Sequence, residues 1–69
     1  MNETQVIIDW AFALPSDDPA RRAVEYLRLS INQGGDTPRD RVRNDYERAA
    51  FADRWRSRFL SAQQQALAL

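Results

Sequence analysis

The chain contains no cysteine, no histidine and no lysine. The first two absences remove disulfide staples, thiolate chemistry, the usual zinc ligands and the commonest general base. Without histidine or lysine, Ser16, Ser30, Ser57 and Ser61 have no customary base to activate them. No stretch approaches the ~18 uninterrupted apolar residues of a membrane span, and no basic-then-apolar leader opens the sequence. The lone pair Gly34-Gly35 lacks the spacing of a phosphate-binding loop. Asp17-Asp18 and Asp40/Asp45 stand at or near helix starts, where capping and dipole effects account for them. These absences lead us to expect a cytoplasmic protein that is not an enzyme. It should have no catalytic residue, no cofactor, no metal site, no small-molecule substrate and no membrane partner.

What remains is 69 residues, 8.0 kDa, with ten arginines against ten acids. Such a length suits a single helical domain spanning residues 1–69, with a small core and marginal stability if it stays alone. The zero net charge hides a polarity. Residues 1–38 hold three arginines against six acids, and residues 39–69 hold seven against four. That favours one half packing on the other, or on a second copy, and can steer a charged partner. Coding bias explains an all-arginine basic set, but the chemistry follows regardless: arginine forks onto carboxylates and phosphates and stacks on aromatic rings.

Two helix starts are written plainly. Asp18-Pro19 sets a good N-cap before proline at the first helical position, and Thr37-Pro38 repeats the device with Asp40 in the first turn. Gly34-Gly35 between them is expected to supply a left-handed stop. Ala20, Ala23, Val24, Leu27 and Ile31 recur at steps of three and four, widened by Tyr26 and Leu29. The run from Thr4 to Leu14 reads two ways. Val6, Ile8, Trp10, Phe12 and Leu14 alternate as a half-buried strand does. The alanines, and the capping-box spacing of Asn2 with Gln5, favour helix instead. We therefore expect an all-α, small three-helix protein with helices near 3–14, 19–33 and 38–66. The first two should form a helical hairpin across Pro15–Asp18.

The third helix is overlong. From Pro38 onward no glycine or proline interrupts it, and thirty helical residues reach ~45 Å, four times the ~11 Å radius of gyration of a compact chain this size. Its apolar residues fall on two arcs. Val42, Tyr46, Ala49, Leu60 and Leu67 share one; Phe51, Trp55, Phe59, Ala62 and Ala66 share another, nearly opposite. The expectation is that the first arc packs on the chain's own helices. The aromatic row would then meet a second copy or another protein, because a wet row of that size marks an interaction surface. Phe51, Arg54, Trp55, Arg58, Phe59 and Ala62 are the candidate protein-interface residues, aromatics and arginines being the usual anchors of such contacts. The terminal run 63–69 is expected to dock or fray.

The function this supports is a non-catalytic protein-binding module (an adaptor, inhibitor or small regulator), self-associating as a homodimer. The alternative is a dimeric nucleic-acid-binding regulator. Arg39, Arg43, Arg54 and Arg58 lie close together around the third helix and could straddle phosphates, with Trp55 near enough to stack on a base. Asp40 and Glu47 on the same side oppose that, and Arg43–Glu47 and Arg41–Asp45 have the spacing of ordinary surface ion pairs.

If residues 4–14 are a strand, the order strand, Leu14-Pro15, helix, Gly35-Asp36-Thr37, helix resembles the ribbon-helix-helix family of repressors and antitoxins. Val42 and Tyr46 occupy apolar positions matching those of that family's second helix. The resemblance would cover residues 4–50. It implies a β-α-α dimer and a transcriptional or antitoxin-like role.

Overall fold

The computed structural model describes residues 2–68. Three helices, α1 (Glu3–Phe12), α2 (Pro19–Gln33) and α3 (Pro38–Ala68), make up the fold, with no strand among the described residues. The all-α expectation holds, and the ribbon-helix-helix alternative falls with its strand. The run from Thr4 is helical as far as Phe12, two residues short of the expected end at 14, because Ile7, Ile8 and Ala11 share one helical face and bury it together. A strand would have sent Ile8 to the side opposite Ile7 and Ala11.

Each helix begins where its cap dictates. The Asn2 side chain accepts from the Thr4 amide at 2.8 Å, and Asp18 accepts from that of Ala20 at 2.9 Å. Thr37 and Asp40 cap reciprocally. The Asp40 amide donates to the Thr37 hydroxyl at 3.1 Å, and the Thr37 amide donates to the Asp40 carboxylate at 3.3 Å. This is the capping box with aspartate in the usual glutamate place. Gln5 takes no part in capping α1; its amide donates to Asp9 at 2.9 Å, one turn on.

The stop after α2 differs from expectation. Gly34 is extended (φ −73°, ψ 156°), and no described glycine has positive φ. A side chain there would press only on the flexible ends of Arg43 and Asp40. A Cβ on Gly34 would lie 2.3 Å from the Arg43 guanidinium, and one on Gly35 would lie 2.6 Å from the Asp40 carboxylate. Arg41 bridges back to Asp36 in this turn at 3.1 Å.

The core comprises Ile7, Ile8 and Ala11 of α1, Ala20 and Val24 of α2, and Phe51 and Ala52 of α3. Trp10, Phe12, Leu14, Ala23, Leu27, Trp55 and Phe59 pack around it. α1 lies across the middle of α3 and contacts it more extensively than it contacts α2. Tyr26 and Leu29 do not join this stripe; they stay exposed, Tyr26 at 79%. The molecule measures 45 × 25 × 17 Å, its long dimension set by α3, with a radius of gyration of 13.1 Å. A chain of 69 residues folded to ordinary density has about 11 Å.

Candidate interaction surface

Both arcs of α3 are where helical periodicity puts them, but their roles are exchanged. The aromatic row faces inward. Phe51 is 7% exposed, and Trp55 and Phe59 are half-buried against the core. The Phe59 ring meets Trp10 of α1 edge-on, centroids 5.7 Å apart, the geometry favoured by ring quadrupoles. Phe51 and Trp55 tilt together at 6.4 Å. Ala62, also half-buried, continues this side one turn further. The row expected to meet a second protein is thus largely used within the fold: Phe51 is taken into the core, and Trp55 and Phe59 are half-covered by α1 and α2.

The two arginines expected beside that row divide. Arg58 is used within the fold. Its guanidinium makes a forked contact with Asp18, the cap of α2, with Nη1 donating to Oδ1 at 2.6 Å and Nη2 to Oδ2. It also lies 5.6 Å from the Trp10 ring centre and 5.9 Å from that of Trp55, within cation–π reach of both. One side chain thus ties α1, α2 and α3. The hydrogen bond from Arg58 holds the Asp18 carboxyl down at a pKa of about 2, helped by the Ala20 amide and opposed by partial burial. Asp18 in turn raises the Arg58 pKa. Arg54 is exposed and lies 5.4 Å from the Trp55 ring centre. Trp55 Nε1 is buried without a hydrogen-bond partner among the described residues.

Arg39, Arg43 and Arg54 make no ion pair among the described residues, so with Arg58 withdrawn they are what remains of the phosphate-facing row. An open groove of about 530 Å³ runs between α2 and α3, with Tyr26, Leu27, Phe51, Arg54 and Trp55 on its walls and Glu47 at its rim.

The arc assigned inward is the one left bare. Val42, Tyr46 and Leu67 are 71%, 70% and 87% exposed, Leu60 is 51% exposed, and Ala49 is also exposed. They lie in line on the side of α3 away from the core. Midway along the line sit Asp53 and Arg56. Arg56 donates from Nη1 to Asp53 at 2.7 Å and from Nε to Glu3 of α1 at 2.5 Å, and these two acids, Asp53 foremost, raise its pKa.

This interruption was readable in advance. The outer arc has no large apolar residue between Ala49 and Leu60, whereas the inner arc is unbroken there through Phe51, Ala52, Trp55 and Phe59. α1 and α2 come together over residues 51–59 of α3, so the arc that is apolar there goes inward. A crossing helix on the other side that offered these groups no opposite charge would strip water from Asp53 and Arg56 uncompensated.

Among the described residues no three acids are grouped as a metal would need, and no helix is long and apolar enough to cross a membrane. Comparison with family models, with curated proteins and with solved structures found no match.

Proposed function

We propose that this chain is a non-catalytic protein-binding module, an adaptor, inhibitor or small regulator that works by occupying a surface. Its contact face is the outer stripe of α3. One observation carries the reading: Val42, Tyr46, Leu60 and Leu67 line up on one side of a helix whose opposite side is already packed. Surface area supports it. A folded chain of 8.0 kDa exposes about 4,500 Å², and this one exposes 5261 Å². The excess, roughly 800 Å², is about what one partner buries in a standard interface. A chain that needs no disulfide suits a reducing compartment, and we place it in the cytoplasm.

Light scattering on the purified chain tests this, run beside Leu60→Asp. The wild type should have a mass above 8.0 kDa, through self-association or a captured partner. The variant should stay helical by circular dichroism and lose the association. If the wild type is monomeric and captures nothing, or if Leu60→Asp changes nothing, the assignment of this face fails.

A dimeric nucleic-acid-binding regulator is the second reading, favoured by the unpaired state of Arg39, Arg43 and Arg54. Glu47 stands exposed on the same side, and the chain's charge sums to zero. Binding to random duplex that weakens steeply with salt would support this reading over the first; we expect none.

A further inference from the structure

The partner on the outer stripe can be identified from the stripe itself. Read in sevens, Tyr46, Asp53, Leu60 and Leu67 form one row of α3, and Val42, Ala49, Arg56 and Gln63 form the row beside it. These alternate at steps of three and four, as the seam of a two-helix coiled coil does. The seam extends over 26 residues, ~37 Å between its first and last members, drifting ~20° per heptad, which a left-handed supercoil absorbs. α1 and α2 pack on the other side of α3 and touch this seam at Arg56, whose Nε donates to Glu3 of α1.

We infer that this seam pairs with the same seam of a second copy, running antiparallel, about a two-fold axis between residues 54 and 55. This rests on the reading of the outer stripe as the contact face and adds its occupant and register. The axis sets Val42 opposite Leu67 of the second copy, Tyr46 opposite Gln63, Ala49 opposite Leu60, and Asp53 opposite Arg56. Each pairing occurs twice, as two-fold symmetry requires.

Two features select this arrangement. The first is charge. Antiparallel pairing sets Asp53 across from Arg56 in both central layers, giving a ring of four alternating charges. Parallel pairing in register would put Asp53 on Asp53 and Arg56 on Arg56, and juxtaposed like charges strongly oppose association. The groups have bonds to spare. Arg56 uses two of its five N–H donors, on Asp53 and Glu3. Asp53 is 70% exposed. The second feature is size. Antiparallel pairing puts small Ala49 against large Leu60, whereas parallel pairing would set Ala49 on Ala49 and leave a gap. The exposed area in excess of the norm, roughly 800 Å² per copy, is what a standard two-sided interface of ~1,600 Å² asks of each partner.

The test exploits a chain without cysteine. Ala49→Cys and Leu60→Cys variants are made separately; both positions are exposed, so circular dichroism should show an unchanged fold. Each alone, and an equal mixture, is oxidised mildly and resolved without reductant. The mixture should yield a disulfide-linked species of twice the chain mass joining one chain of each kind, and neither variant alone should cross-link comparably. A dimer by light scattering that gives no mixed disulfide, or that links Ala49→Cys to itself, overturns the antiparallel register while leaving the contact face in place. A monomer by light scattering overturns the self-pairing, and the contact face falls with it only if the chain also captures no other protein. Charge reversal gives a second readout. Asp53→Arg and Arg56→Asp should each weaken the dimer at least about tenfold. Mixed together they should recover it as a heterodimer, because every central layer is again opposite in sign. Failure to recover, with both variants helical, counts against the central layers as drawn.

Discussion

The inner and outer sides of α3 have comparable apolar content, yet one is consumed by folding and the other is left in water. What separates them is the position of the apolar residues along the helix. α1 and α2, ten and fifteen residues long, span about 15 and 22 Å, against the ~46 Å of the 31-residue α3. α2 runs back from the 34–37 turn along the first half of α3 and α1 crosses α3 near Phe59, so the two come together over one window. On the inner side that window holds Phe51, Ala52, Trp55 and Phe59; on the outer side it holds Asp53, Arg56 and Ser57. The alanine at 52 is fully buried, and its small side chain lets α1 lie close, as the quadrupole-paired Trp10 and Phe59 require. The outer side keeps its apolar residues toward the two ends of α3. On our proposal, a second long helix spans both.

The largest expected effect breaks that comparison at its strongest point. Phe51→Ala should destabilise the monomer by about 3–5 kcal/mol, the usual cost of emptying a buried phenylalanine site. That approaches the whole stability of a domain this small, so the variant should lose most of its helical circular dichroism at room temperature. Tyr46→Ala, on the outer side, should change monomer stability by no more than about 0.5 kcal/mol. Comparable losses at the two positions would mean that the two sides of α3 are not energetically distinct.

Much of this was legible in the residues. The helix starts at Pro19 and Pro38 and the two arcs of α3 follow from capping chemistry and 3.6-residue periodicity; the glycine pair marked the end of α2 at Gln33, though not by the left-handed stop expected of it. Assigning arc to role required more than periodicity, because a helical wheel collapses the axis and hides where along its length an arc is interrupted. The alternation of Val6, Ile8, Trp10, Phe12 and Leu14 misleads for a related reason. Ile7 and Ala11 carry the helical reading, and a period-two template leaves them out. Arg58 was legible as a charged neighbour of Trp55. Its true partner, Asp18, lies forty residues away, and no local spacing reveals such a pair.

An intermediate effect sharpens the boundary of the covered window. Asp18 both caps α2 and holds Arg58 over Trp10 and Trp55. Asp18→Asn keeps an N-cap side chain but gives up the charge, and Asp18→Ala gives up both. Melting temperatures at neutral pH should therefore fall in the order wild type, Asp18→Asn, Asp18→Ala. The pH dependence follows from the folded carboxyl lying at about 2 where the ordinary value is 3.8. A depressed acid stabilises the fold fully above its unfolded value, and that contribution fades as pH falls through the folded one. The gap between wild type and Asp18→Asn should thus be constant above about pH 4 and close as pH approaches 2. A gap that persists into acid would show that the carboxylate's charge is not what Arg58 responds to.

The smallest effect belongs to the uncovered end of α3. Thr37 and Asp40 cap a stretch in which Val42, Arg43, Asp45, Tyr46 and Glu47 are all exposed, so the first turns of α3 depend on local interactions more than on packing. The Asp40 pKa is lowered chiefly by the Thr37 hydroxyl, with the Thr37 amide and Arg43 adding to it. Thr37→Ala removes the hydroxyl and should cost about 1 kcal/mol of helix stability. Because the buried contacts begin further along at Phe51, this loss should appear first as faster amide exchange over residues 39–47, with a smaller change in the exchange of Phe51 and Ala52. The proposed dimer gives the same experiment a second use. If Val42 and Tyr46 lie in a seam that extends to the second copy's Leu67 and Gln63, amide exchange over residues 39–47 should slow as protein concentration rises. The Thr37→Ala variant should then weaken association as well as fray. Exchange there that ignores concentration in a chain proven dimeric would confine the interface to the central and C-terminal layers, around Asp53, Arg56 and Leu60.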